Sequence, residues 1–185
     1  MVETLTTPRL ILRPLRPSDA GPMSLYASDP RVARMTTSIP HPYPPGAAEA
    51  YIERQATNPR DEAWAIDATP SGGSELVGVI AFKTEAVEMG YWVGPPFWNS
   101  GYVSEALGAV LSHLFEARGL NAIGASVFAD NPASARVLEK AGFVETGTTM
   151  QYSVAREDSA LSRMFVLTRE AMDRRVVELA STGAV

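Results

Sequence analysis

The sequence predicts one mixed α/β domain, and three observations carry that expectation. Short runs rich in β-branched and aromatic residues are interleaved with stretches of helical periodicity. Proline and glycine punctuate most of the junctions between them. No linker, repeat or low-complexity segment divides the 185 residues, a length that suits one domain with a full hydrophobic core. The domain is expected to span residues 1–185, with its core over about 7–169 and a C-terminal helix and frayed tail over 170–185.

The elements follow in order. Arg9–Leu15 (RLILRPL) reads as a strand with Leu10 and Leu12 on one face. Pro17-Ser18-Asp19 opens a helix to about Ala27 with Ser18 as its N-cap, and Asp29-Pro30 opens a second, short one to about Met35. Thr36–Pro45 holds four prolines in ten residues and reads as a stiff extended loop. A helix over Ala47–Ala56 and strands over Ala63–Asp67, Glu75–Thr84 and Val87–Gly94 come next. Val103, Ala106, Leu107, Val110, Leu111, Leu114 and Phe115 then form the cleanest buried stripe of the chain. After it come a strand over Ala122–Phe128 and a helix capped by Asn131, with Pro132 at N1 and Gly142 as its stop. A closing hairpin pairs Phe143–Val154 with Leu161–Thr168 around REDS, Arg169–Ala180 is helical, and Ser181–Val185 frays.

Composition narrows the function classes. A formal charge of −5 argues against a nucleic-acid surface, which needs clustered Lys and Arg. No apolar run approaches the ~20 residues of a membrane helix, and the start lacks a signal peptide, so the expected location is the cytoplasm. With no cysteine there is neither a thiolate metal site nor a cysteinyl acyl-enzyme; no metal site is expected.

The stretch Gly94–Ala106 (GPPFWNSGYVSEA) organises the rest. A strand stops at two prolines, a polar glycine-containing loop follows, and an amphipathic helix begins. A helix start leaves about four N–H groups without internal partners, at the positive end of the helix dipole. Such a junction suits a phosphate. Pro95-Pro96 are expected to end ladder bonding to the next strand and so splay the sheet, leaving a free backbone edge for an extended amide-bearing ligand.

Two blocks, GYWVGPPFWNSGYVSEAL (Gly90–Leu107) and NPASARVLEKAGFVETGT (Asn131–Thr148), together resemble the GNAT acetyltransferase superfamily, in its ribosomal-protein N-terminal acetyltransferase (RimJ/RimL-like) branch. TPRLILRPLRPSDA and SDPRVARM fit the same branch, so the resemblance covers about Thr7 to Arg169. It implies a central, mostly antiparallel, twisted sheet of six to seven strands, splayed in the middle and flanked by four to five helices. It also implies acetyl-coenzyme A as donor and an amine as acceptor. The family's phosphate loop falls on Trp98, Asn99, Ser100, Gly101, Tyr102 and Val103. Gly101 keeps the glycine that lets backbone approach a pyrophosphate; Val103 departs from the small residue of the pattern and implies a tighter loop.

The resemblance assigns cofactor contact to that loop with Ser104, to the strand edge around Trp92 and Val93 for the pantetheine amides, and to Asn131 and Ser134. Ser134 is implied near the thioester sulfur, as donor to the leaving thiolate, and Glu88 as the base that takes the amine's proton. The plainer readings are a helix cap for Asn131, a first-turn polar residue for Ser134 and a solvated strand residue for Glu88. Tyr91, Tyr102, Tyr152 and His41 are further hydroxyl or imidazole candidates, Arg136 and Lys140 offer charge to the adenosine phosphates, and His113 and Glu105 read as structural and dipole-compensating.

The expected activity is transfer of an acetyl group to a primary amine by direct attack on the thioester, the acceptor being a protein N-terminal α-amine or a small amine. A non-catalytic acyl-coenzyme A-binding module is the alternative. The expected partners are the two substrates, without nucleic acid or membrane, in a monomer or homodimer.

Overall fold

The computed structural model describes residues 2–58 and 61–181. Among the described residues eight strands form one sheet: β1 (Leu5–Thr6), β2 (Ile11–Pro14), β3 (Asp61–Asp67), β4 (Gly78–Lys83), β5 (Glu88–Val93), β6 (Ala122–Phe128), β7 (Val144–Ser153) and β8 (Asp158–Thr168). Their order is β1-β2-β3-β4-β5-β6-β8-β7. Six helices accompany them: α1 (Ala20–Ala27), α2 (Pro30–Ala33), α3 (Ala47–Thr57), α4 (Tyr102–Glu116), α5 (Pro132–Lys140) and α6 (Arg169–Ser181). Both counts exceed the expected six to seven strands and four to five helices. The extra strand is β1, two residues paired with Leu12 and Ile11, too short for a periodicity to register.

Every pairing is antiparallel except β5 with β6, which share only Glu88↔Gly124 and Met89↔Ala125 before they part. The sheet therefore opens at Gly90, not at Pro95-Pro96. The prolines act on a different ladder: β5 stays paired to β4 through Val93, and Pro95–Phe97 form a 3₁₀ turn beyond it.

Both faces of β3 and β4 are covered, which explains their nearly unbroken apolar sequence. Trp64, Ile66, Ile80 and Phe82 pack with the α4 stripe, whose Ala106, Leu107, Val110, Leu111, Leu114 and Phe115 are all buried. Ala63, Ala65 and Val79 meet Met23 of α1 and Ala48 and Ile52 of α3 on the other face. The same α4 cluster continues to Ile123, Ala125, Phe165 and Leu167 of the second half-sheet. One helix thus spans the divergence.

Three local expectations change. Ser18 caps nothing; Asp19 does that work, accepting from Arg16 N at 2.8 Å while buried against Arg13. The strand expected from Glu75 starts at Gly78. The final turn is Val154–Glu157 and β8 begins at Asp158, three residues before the expected Leu161, because the polar Asp158 and Ser159 pair with Ser153 and Tyr152. Ser181 closes α6, and the tail beyond it lies outside the described residues.

A buried ion network locks the first half-sheet. Arg13, 6% exposed, donates from Nε to Asp67 and from both terminal nitrogens to Asp19, each at 2.9 Å, and reaches Glu75 O at 2.8 Å. Removing one partner of such a set leaves uncompensated buried charge. Arg13→Met is therefore expected to destabilise the fold by about 3–5 kcal/mol, read from the shift of a urea unfolding midpoint at constant m-value.

Candidate active site

The divergence of β5 and β6 opens a cavity of about 1140 Å³, large enough for two substrates. Its lining brings together Glu88, Trp92, Val93, Trp98, Asn99, Gly101, Val103, Ser104, Asn131 and Ser134. Tyr91, Arg136 and Lys140 also face it, as do Met35, Ile39, Tyr43 and Tyr51 from the loop after α2 and from α3.

At the head of α4, Asn99 has φ 61° and Gly101 φ 81°, flanking Ser100 in a backbone of alternating hand. Successive N–H groups in such a turn converge on an anion, and the helix dipole adds to them. Glu105 N makes the first intrahelical bond, to Gly101 O, so the N–H groups of Val103 and Ser104 precede the helix ladder. A Cβ on Gly101 would meet an Arg9 guanidinium nitrogen at 3.2 Å in a conformation L side chains rarely adopt. Ser100 and Tyr102 turn away from the cavity. Ser100 Oγ donates to Phe97 O at 2.6 Å and accepts from Tyr102 N at 3.3 Å, while Arg9 lies over the Tyr102 ring.

Arg9 is the brace that sequence reasoning missed. Its guanidinium donates to Glu105 at 2.6 Å and to Ser100 O at 3.0 Å, and Thr7 Oγ1 donates to the same carboxylate at 2.6 Å. Burial works to raise the Glu105 pKa, but the hydrogen bonds from Thr7 and Arg9 and the charge of Arg9 outweigh it and hold the carboxyl below its ordinary value. Glu105, read from sequence as a dipole partner, is the anchor between the N-terminal segment and the loop. No local pattern announces a pairing across 96 positions.

Along β5, Gly94 N donates to Val77 O, and the register alternates from there. Trp92 thereby turns its backbone groups to β4, while those of Tyr91 and Val93 point into the gap. Of the expected Trp92 and Val93, Val93 has its backbone at the open edge, together with Tyr91, while Trp92 contributes its side chain alone. Val93 O already accepts from Trp98 Nε1 at 2.8 Å. Trp98 is further covered by Arg31, 5.2 Å from its ring centroid.

Across the gap, Asn131 caps α5 by accepting from Ser134 N at 3.2 Å, with Pro132 behind it as the pattern implied. Ser134 Oγ lies 3.0 Å from Tyr91 Oη, which also donates to Ser134 O at 3.2 Å. Burial pushes the Tyr91 phenol up to about 12, the bond to Ser134 working the other way. The pair is a protonated donor at neutral pH. At the closed end of the gap Glu88 Oε1 accepts from Ser126 Oγ at 2.6 Å, and Gln151 Nε2 donates to Ser126 at 3.0 Å. Neither Ser126 nor Gln151 carries a sequence signal, since β6 and β7 bring them to Glu88 only through the sheet order.

The remaining candidates separate cleanly. Tyr152 and His41 are exposed and do not line the cavity, and His113 sits edge-on to Trp64 with Glu3 nearby, a structural place. Among the described residues no three His, Asp or Glu side chains converge as a metal site, and no helix is long and apolar enough to cross a membrane.

A sheet that parts after one short parallel contact, with a glycine loop heading the helix that spans the opening, is the architecture of an acetyltransferase. Residues 9–144 match the family described as Acetyltransferase (GNAT) domain, and the chain belongs to it. It is 35% identical over 160 residues to a Bacillus subtilis (strain 168) protein called Uncharacterized N-acetyltransferase YoaA, covering 82% of this chain and 89% of that one. It is 32% identical over 82 residues to the ribosomal-protein-serine acetyltransferase of Escherichia coli (strain K12), 42% of this chain and 46% of the relative. The solved structure of RimL, a ribosomal L7/L12 alpha-N-protein acetyltransferase in complex with coenzyme A, shares the fold. Its TM-score is 0.78 at 17% identity, over 91% of this chain and 99% of that chain. These likenesses agree with the RimJ/RimL-like branch.

Two substitutions probe the geometry. Gly101→Val is expected to raise KM for acetyl-coenzyme A at least about tenfold, or about 1.4 kcal/mol, with the thermal unfolding profile still cooperative; an unchanged KM would remove the loop from the donor site. Tyr91→Phe is expected to lower kcat by about tenfold or more with little change in that KM, measured by steady-state kinetics.

Proposed function

We propose that the chain is an acetyl-coenzyme A-dependent N-acetyltransferase in which a primary amine attacks the thioester directly. The observation that supports this best is the convergence in one cavity of the α4 loop, the open β5 edge, the Tyr91–Ser134 pair and Glu88. The pyrophosphate fits the N–H groups of Asn99–Gly101, Val103 and Ser104, the Tyr102 N–H being held by Ser100 Oγ, and Arg136 and Lys140 on α5 offer charge to the donor's phosphates. The pantetheine amides fit the backbone groups of Tyr91 and the N–H of Val93, whose carbonyl accepts from Trp98, as an added strand would. The Asn131 side-chain oxygen is committed to Ser134 N, which leaves its amide N–H groups for the pantetheine arm.

In the reaction the amine nitrogen forms a bond to the acyl carbon and the carbon–sulfur bond breaks. The departing thiolate takes a proton from the Tyr91–Ser134 hydroxyl pair. The amine's proton goes to Glu88, directly or through water, with Ser126 and Gln151 orienting Oε1 and leaving Oε2 for the transfer. With no cysteine in the chain, no cysteinyl acyl-enzyme competes with direct attack.

The acceptor is a protein N-terminal α-amine or a small amine, in the cytoplasm. An α-amine with a pKa near 7.8 is roughly a tenth neutral at pH 7, whereas a lysine near 10.4 is only about 0.04% neutral. The α-amine needs less help from Glu88. A screen of peptides and small amines for thiol release from acetyl-coenzyme A tests the reading. Release that depends on an amine is expected; coenzyme A binding without any such release would make the chain a binding module. With the best acceptor, Glu88→Gln is expected to lose at least about fivefold in rate at pH 8, and a smaller loss would take the base role from Glu88.

A further inference from the structure

Arg156 stands in the turn between β7 and β8, behind the cavity wall and absent from its lining. Its side chain is 12% exposed, yet every nitrogen of its guanidinium has a partner. Nε donates to Arg34 O at 2.8 Å, and one terminal nitrogen lies 3.7 Å from Met35 Sδ. The two terminal nitrogens fork onto the Asp130 carboxylate, each at 2.9 Å, and the guanidinium carbon lies 4.5 Å from the Phe128 ring centroid. The fork and the charge hold the Asp130 carboxyl below its ordinary value. Beside it, Ser153 Oγ donates to Thr36 O at 3.0 Å and Val154 N to Thr37 O at 3.1 Å.

These contacts join two sides of the cavity. Met35, Thr36 and Thr37 form part of the wall supplied by the loop after α2. Asp130 precedes Asn131, the cap of α5 on the opposite side. With β5 and β6 paired at only two positions, the fork fixes the guanidinium on Asp130 and so aims Nε at Arg34 O, and this bond joins those of Ser153 and Val154 in linking the β7–β8 turn to residues 34–37.

We infer that Arg156 is a positioning residue that ties the acceptor wall at Met35–Thr37 to the donor side at Asp130–Asn131, setting the distance over which the amine approaches the thioester. The inference rests on the acetyl-transfer reading above. Loss of the tie costs acceptor affinity and alignment while leaving the donor loop at the head of α4 untouched.

Hydrogen exchange of the whole chain, alone and with coenzyme A, tests this together with kinetics. Arg156→Lys keeps a cation for Asp130 but loses the fork and the bond to Arg34. In it the amides of residues 35–39 are expected to exchange at least about tenfold faster than in the wild type, with α4 unchanged. Coenzyme A is expected to slow those amides in the wild type and not in the variant. With the best amine of the screen, KM for the amine rises at least about fivefold while KM for acetyl-coenzyme A stays within about twofold. Asp130→Asn, which cuts the donor end and spares the Arg34 bond, is expected to give the same split. Unchanged exchange at 35–39 in both variants, or equal rises in both KM values, overturns the inference. If coenzyme A slows no amide of the wild type, the acetyl-transfer reading fails instead, and the comparison of ligand-free wild type and variant still decides the tie.

Discussion

The structure depends on one interrupted interaction, the parallel ladder between β5 and β6. Two residue pairs hold, then the strands part. A continuous ladder would consume the backbone groups of Tyr91 and Val93; the divergence leaves them at an open edge beside a helix start. Such an opening exposes polar backbone and forfeits sheet contacts, so something else must hold the halves together. The α4 stripe does this by burying one continuous apolar surface against strands of both halves. Hydrophobic contact is non-directional, which lets a single helix bridge strands that no longer share a plane.

Polar braces then place the chemistry on that frame. The Arg9–Glu105–Thr7 set fixes the loop against the helix it precedes, and Trp98 closes over Val93 O. The Tyr91–Ser134 pair crosses the gap, and Glu88, Ser126 and Gln151 fill its closed end. Apart from the exposed Trp98, these side chains are half-buried, where a hydrogen bond orients a side chain more firmly than at a solvated surface. The side chains at the cavity are thereby oriented by partners drawn from three strands and two helices.

Much of this was legible in the chain itself. The α4 stripe, the Asn131-Pro132 start of α5 and the Gly101 turn are set by neighbours within a few positions, so periodicity and capping rules reach them. The count of strands and the start of β8 were less so, since a two-residue strand and a polar strand end are decided by their partners. The prolines misled for the same reason: Pro95-Pro96 do end a ladder, but which ladder depends on the edge of β5 that faces β6.

The sequence by itself determined the class of fold, the loop at the head of α4, and the family that the blocks Gly90–Leu107 and Asn131–Thr148 resemble. Local chemistry suffices for these, because a helix cap or a left-handed glycine requires only adjacent residues. The tertiary structure alone decided where the sheet opens, which backbone groups line that opening, and which side chains support Glu88, Tyr91 and the loop. Those depend on contacts such as Arg9 with Glu105 and Arg156 with Arg34, between segments about a hundred residues apart. Loop closure over such lengths is compensated only by the whole assembled core, so nothing in the neighbourhood of either residue records it.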